Sequence, residues 1–306
     1  QATAPATAGT DDAGEDADGE RADLEARVAA LRAERERLAE ERDRLRERVD
    51  ELEAEAAADR PPADAERVEP RAALAGTDLF VRYRSKGAET LEAAHDGADN
   101  REAVRGNLDL EHHTRFDAAS TVVDGDPFEA FLSGTLEHEL VTWLVADLLY
   151  EIRDTGHVDG LRPLYDALPR IDRADLYGAV EVGEGADGDE ERVVFDVVCR
   201  DRLGAPVVCL DVHDSREPAT DAEMEAVVEK SARVAEVHDD FACAFLVTSS
   251  FFDPSAMALA TERTASGGLF GGGSRESFVK LSRKRGYHLC LVEARERRFH
   301  LTMPEL

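Results

Sequence analysis

The sequence predicts an α/β domain, a mixed sheet flanked by helices, preceded by an α-helical coiled coil. Three observations carry this. Leucine recurs at strict sevens from Leu24 to Leu52. A long apolar stretch of helical period runs from about 128 to 153. After it the period changes to two, and a continuous apolar run, Ala242–Val247, follows the last capping box. Helical period followed by alternation and a buried run is the pattern of helices packed on a sheet.

Residues 1–19 are small, polar and acidic without periodicity, too poor in apolar surface to order themselves, and read as a disordered tail. Residues 20–58 read as the coiled coil. Leu24, Leu31, Leu38, Leu45 and Leu52 occupy one seam position, and Val28, Arg35, Arg42 and Val49 the other. Neither Gly nor Pro occurs between Arg21 and Arg60. Arginines in the seam weaken the core and disfavour higher oligomers, so a homodimer through the five leucines is the expected partner state. Residues 59–75 contain Pro61-Pro62 and Pro70 and read as a linker.

Residues 76–127 read as an α+β extension of the globular domain. A strand is expected at Asp78–Tyr83 and helices near 88–95 and 100–106, the second capped by Asp99 with Glu102 as its partner. Short strands follow at 107–111 and 121–124. Residues 128–306 form the main α/β domain. Its helix over 128–153 is apolar nearly all round and belongs inside. Strands at 178–183, 193–200 and 206–213, separated by the turns Gly185–Glu191 and Asp201–Gly204, form an antiparallel meander. Thr220-x-x-Glu223 opens a helix to about 238, Ala242–Val247 is a buried central strand, and His288–Glu293 is the last strand, with helices near 254–264 and 275–285.

Composition excludes whole classes. No apolar run reaches the ~18 residues of a membrane span. A net charge of −30 excludes an ordinary basic nucleic-acid binder. The excess is not confined to the tail, because residues 76–306 alone hold 45 acids against 25 bases. Only four lysines occur, at 86, 230, 280 and 284. Molar salt shortens the Debye length to ~3 Å and tolerates such a surface. The composition resembles that of a haloarchaeal cytoplasmic protein. Cys199, Cys209, Cys243 and Cys290 each lie in an apolar run without a Cys-x-x-Cys pair, so buried free thiols are expected in a reducing compartment. The chain begins at Gln1 rather than Met, which suggests a fragment or a processed product.

Several motifs are incomplete. His138-Glu139 starts a zinc-protease pattern, but Thr142 holds the second histidine position. His112-His113 is adjacent rather than one helical turn apart and reads as a surface pair. Gly267–Ser274 is glycine-rich but lacks the Gly-Lys-Ser/Thr that grips phosphates, and reads as a flexible loop. Residues 275–285 are basic, with Arg275, Lys280, Arg283, Lys284 and Arg285, and form the candidate nucleic-acid contact. The alternative is a helix C-terminus whose dipole favours cations.

The remaining constellation is Asp196, Asp211-x-His213, Lys230 and Glu137. Asp196 precedes Asp211 by fifteen residues, on neighbouring strands. Period two puts Asp211 and His213 on one face. This order of elements and acids resembles the restriction-endonuclease-like, PD-(D/E)xK, nuclease superfamily over about 130–294. The whole chain is also similar to an uncharacterised haloarchaeal family in which a coiled coil precedes a C-terminal domain. The nuclease resemblance implies that Asp196 and Asp211 hold Mg²⁺, that a lysine steadies the reacting phosphate, and that Glu137 is a third acid on the first helix. The lysine position is occupied by His213, and the nearest migrated lysine is Lys230 on the next helix. The expectation is therefore a degenerate fold that recognises nucleic acid or protein, without a cofactor. The alternatives are an active Mg²⁺-dependent nuclease and a scaffold acting through its coil.

Overall fold

The computed structural model describes residues 27, 29–49, 65–85, 87–98, 100–184, 188–264, 280–282, 286–295 and 298–301. They belong to two units, divided at Arg60 and Pro61.

In the first unit, residues 29–49 are helical (α1). The stretch is rich in Ala, Glu, Arg and Leu, which favour helix most strongly. Leu31, Leu38 and Leu45 are 63%, 53% and 60% exposed, so the seam leucines find no cover within their own helix. Leu24, Leu52 and the tail over 1–19 lie outside the described residues.

The second unit opens with strand β1 (Glu66–Arg67), helix α2 (Pro70–Ala75) and strand β2 (Thr77–Tyr83). The linker expected over 59–75 therefore ends sooner. Pro70 sits in the first turn of α2, where its missing N–H costs nothing, and Ala73 and Leu74 are buried. Helices α3 (Leu91–His95) and α4 (Arg101–Asn107) lead to strand β3 (Leu108–Thr114). Asn100, not Asp99, caps α4, through its side-chain oxygen and the Ala103 N–H. Strand β4 (Thr121–Val123) pairs with β1 on one side and with β5 (Asp126–Pro127) on the other in a small separate sheet.

The expected single helix over 128–153 is three: α5 (Phe128–Ser133), α6 (Leu136–Ala146) and α7 (Leu148–Asp154). Gly134 ends α5 and Thr135 caps α6. Asp147 breaks the next junction at φ −126° and ψ −41°. Its carboxylate accepts from Arg101 at 2.7 Å, so the break is fixed by a charge pair rather than by Pro or Gly. Helix α8 (Arg162–Ala167) follows.

The sheet strands then run β6 (Arg173–Leu176), β7 (Ala179–Glu184), β8 (Glu190–Val194), β9 (Val197–Arg200) and β10 (Pro206–His213). Helix α9 (Asp221–Val237) carries the expected Thr220–Glu223 capping box. Strand β11 (Cys243–Thr248) is buried at every residue, as its apolar run requires. Helix α10 (Pro254–Thr264), and strands β12 (Lys280–Ser282), β13 (Tyr287–Arg295) and β14 (Arg298–Leu301), complete the unit. The helix expected over 275–285 is corrected at 280–282, where β12 pairs antiparallel with β13. The open edge of β13 offers a backbone ladder there.

The main sheet is mixed, in the order β12-β13-β11-β10-β9-β6-β2-β3, with β14 on β13. β10, β11 and β13 are parallel, while β10–β9, β9–β6, β6–β2 and β2–β3 are antiparallel. Alternation separates two apolar clusters, one on each face. Val208, Leu210, Phe245 and Cys290 pack with Leu140, Leu144 and Leu164 of α6 and α8. Cys209, Ala244, Leu246 and Leu291 pack with Met224, Val227 and Val234 of α9. The cysteines are free and buried, as expected.

The meander is also corrected. β6 takes the place of the strand expected at 178–183, which leaves the sheet as the separate β7–β8 hairpin. The chain turns out at Tyr177, whose φ is +49°. Gly178 is required beside it, because a Cβ there would stand 2.8 Å from Val198 Cγ2. The strand expected at 193–200 is interrupted at the same level, since β8 ends at Val194 and β9 begins at Val197.

Candidate functional site

Asp196 lies in that interruption. A residue outside the ladder is free of strict alternation, and its carboxylate turns toward the neighbouring strand. Asp196 Oδ2 accepts the Val212 N–H at 2.7 Å. The Asp196 N–H in turn faces Asp211 Oδ1 at 3.4 Å. The two acids are thus latched backbone-to-side-chain across adjacent strands.

Asp211 follows from the alternation of β10. Val208 and Leu210 face α6 and α8, Cys209 faces α9, and Asp211 falls on the α9 face. There Lys230 Nζ ion-pairs with Asp211 Oδ2, donates to the Val194 carbonyl at 2.9 Å, and lies 4.5 Å from the centre of the Phe195 ring. Helix α9 can present Lys230 this way because Val227 and Val234, one turn to either side, anchor its apolar face.

Glu137 comes from the first turn of α6. Tyr177 Oη donates to its Oε1 at 3.4 Å. Tyr177 is tied to the same place by its backbone N–H, which donates to the Asp196 carbonyl at 2.7 Å. Its ring carries the Arg71 guanidinium, 5.0 Å from the centroid.

The electrostatics agree with the geometry. Burial raises Glu137 above the ordinary carboxylate range, and the nearby Asp196 and Asp214 add to the rise. Burial raises Asp196, against the Val212 N–H, Lys230 and Arg71, which pull it down. Burial also raises Asp211, with Lys230 opposing and Asp196 contributing. Burial and the two acids push Tyr177 up to about 12, so its phenol is a neutral donor. Asp196 thus adds to the rise of both other half-buried acids, Glu137 and Asp211.

Glu137, Asp196, Asp211 and Lys230 are brought together. His213 is not: its Nε2 lies 3.2 Å from the Glu217 carbonyl, beyond the end of the pair. Arg275, Arg283, Lys284 and Arg285 lie outside the described residues, as does the glycine-rich loop. Lys280 is the first residue of β12. His112 and His113 separate by alternation, His113 exposed on Phe80 and His112 half-buried against Phe128, so only one of them is a surface residue. Thr142 donates to the His138 carbonyl at 2.8 Å, a bond within the helix.

Tyr177 and Arg71 belong to the site and carry no motif. A Tyr-Gly pair after a strand signals a turn, but not that the tyrosine takes the left-handed conformation and aims its phenol at an acid.

The donors suit a hard cation. Carboxylate oxygens are the ligands Mg²⁺ prefers, and Mg²⁺ takes only one or two of them and keeps its waters. Among the described residues no three His, Cys, Asp or Glu side chains form a ready-made cage. No helix among the described residues is long and apolar enough to cross a membrane.

Residues 68–306 match the model of a protein family described as a domain of unknown function, DUF7527. No curated protein and no solved structure matches the chain.

Proposed function

The chain belongs to the DUF7527 family, and we propose that this domain is a restriction-endonuclease-like hydrolase of nucleic-acid phosphodiesters, dependent on a divalent metal. The observation that carries the reading is the Lys230–Asp211 ion pair beside the Asp196 latch. The expectation of a degenerate site rested on His213 in the lysine position. A lysine arriving from α9 supplies the missing cation and supports the active alternative.

Asp196 and Asp211 would hold the metal. When bound, it would supply a Lewis acid and a more acidic water. Lys230 holds its charge beside Asp211, where the extra negative charge of a pentacovalent phosphate develops. Glu137, raised by burial and by Asp196, is the acid best suited to exchange a proton with the attacking water or the leaving oxygen. Tyr177 keeps the Glu137 carboxylate oriented through its hydroxyl.

The test is cleavage of plasmid and single-stranded DNA with Mg²⁺ or Mn²⁺ over a KCl series. Cutting that needs the metal and disappears in Asp196→Ala and Asp211→Ala is the expected result. Intact DNA under every condition overturns it, and leaves recognition without hydrolysis.

A second reading concerns α1. We propose that it pairs with a second copy of the chain through Leu24, Leu31, Leu38, Leu45 and Leu52. The exposure of Leu31, Leu38 and Leu45 on an uninterrupted helix supports it.

A further inference from the structure

The acidic site poses a problem for its own substrate. A nucleic acid brings one negative charge per phosphate to a cluster of three acids in a chain of net charge −30. A cation free to meet it must stand at the rim. Lys230 is not free, because Asp211 and the Val194 carbonyl engage it.

Arg71 meets the requirement. It lies in α2, outside the stretch that resembles the nuclease core, and is exposed. Its charge reaches the cluster, since it lowers Asp196. It makes no ion pair among the described residues, although other arginines of the unit, such as Arg82, Arg115, Arg173 and Arg200, do. What holds it is the Tyr177 ring, at 5.0 Å. A guanidinium near an aromatic ring is attracted to the ring while keeping N–H donors for other partners. Those donors suit the paired oxygens of a phosphodiester. Tyr177 is itself over-determined: positive φ, a backbone bond to Asp196 and a hydroxyl bond to Glu137 fix the ring relative to both acids.

We propose that Arg71 binds a backbone phosphate of the nucleic-acid substrate beside the one attacked, and that Tyr177 is the positioning residue that sets Arg71 relative to the acids. The proposal rests on the nuclease reading of the acidic site. It also explains why a turn with an unfavourable tyrosine conformation sits at this point: the same side chain links the rim cation to Glu137 and the Asp196 strand.

The experiment measures binding of a fluorescent DNA duplex to the full chain in Ca²⁺, over a KCl series, with melting curves alongside. Arg71→Ala should weaken binding about tenfold and lower the slope of log K against log salt by about 1. Its melting transition should stay cooperative, so that weaker binding is not unfolding. Arg71→Lys should recover the slope but only part of the affinity. Tyr177→Leu should weaken binding with the slope kept, and Tyr177→Phe, which retains the ring, should bind as the wild type does. Equal affinity and slope for Arg71→Ala and wild type overturn the proposal. Absence of wild-type binding overturns it together with the nuclease reading. Binding without cleavage in Mg²⁺ overturns hydrolysis alone, and Arg71 is then decided by the slope.

Discussion

Lys230 of α9 ion-pairs with Asp211 of β10, so the cation that an Asp-x-Lys spacing would place at 213 arrives from a helix instead. His213, two residues on, turns to the Glu217 carbonyl.

This pair predicts a split effect for Lys230→Met. Cleavage should fall ~10²–10³-fold, as when one preorganised electrostatic donor is removed. Stability should fall too, because Asp211 is left buried without its cation. The sign follows from the carboxyl. Removing Lys230 raises Asp211 further, so the loss is present above its titration and fades as pH falls and the acid protonates. Melting curves at neutral and acidic pH measure it. A loss of Tm that is equal at both would remove Asp211 from the account. Asp211→Asn in the same chain should recover part of the loss at neutral pH.

Glu137→Gln should stabilise the metal-free protein. Glu137 is raised by burial and by Asp196 and Asp214, so its ionised form opposes folding. That opposition is present above its folded titration and vanishes below the unfolded one. The variant should melt higher near pH 7, by ~2–4 °C for each kcal/mol relieved in a domain of this size. The gain should disappear as pH falls through the carboxylate range. Cleavage should drop in the same variant. An unchanged Tm at neutral pH would show that Glu137 carries no uncompensated charge.

Mg²⁺ should raise the Tm of the wild type, because a ligand that binds only the folded state stabilises it by mass action. The rise should be lost in Asp196→Asn and in Asp211→Asn, but kept in His213→Ala. A rise that survives in both aspartate variants would move the metal elsewhere.

Deleting residues 1–58 should convert a dimer to a monomer in light scattering at high salt. The leucines at sevens motivate this, and the deleted stretch lies within the first structural unit. A dimer that survives the deletion would put the interface in the second unit.

Thr220→Ala should cost ~0.5–2 kcal/mol by removing the cap of α9. The Thr220 side chain accepts the Ala222 N–H, and Glu223 accepts from the Thr220 N–H at 2.8 Å. Since α9 also carries Lys230, cleavage should fall modestly with it. Urea unfolding measures the first effect.

The sequence by itself determined the parts whose physics is local. Leucine at sevens without Gly or Pro gives a helix over 29–49. The Thr220–Glu223 capping box starts α9, and the unbroken apolar run Ala242–Val247 gives a strand, Cys243–Thr248, buried on both faces. Alternation in Pro206–His213 puts Asp211 on the face opposite Leu210. Only the tertiary structure decided what depends on residues far apart in the chain. Asp147 breaks the apolar helix because Arg101 of α4 meets its carboxylate. The meander takes β6 rather than 178–183 because Gly178 can approach Val198 where a side chain would collide. The strand break at Asp196, the lysine from α9 and the Arg71–Tyr177 stack all need two or three elements packed together. A one-dimensional pattern records which face a residue occupies, but not which distant side chain occupies the space opposite it, and at this site that is what sets charge, orientation and reach.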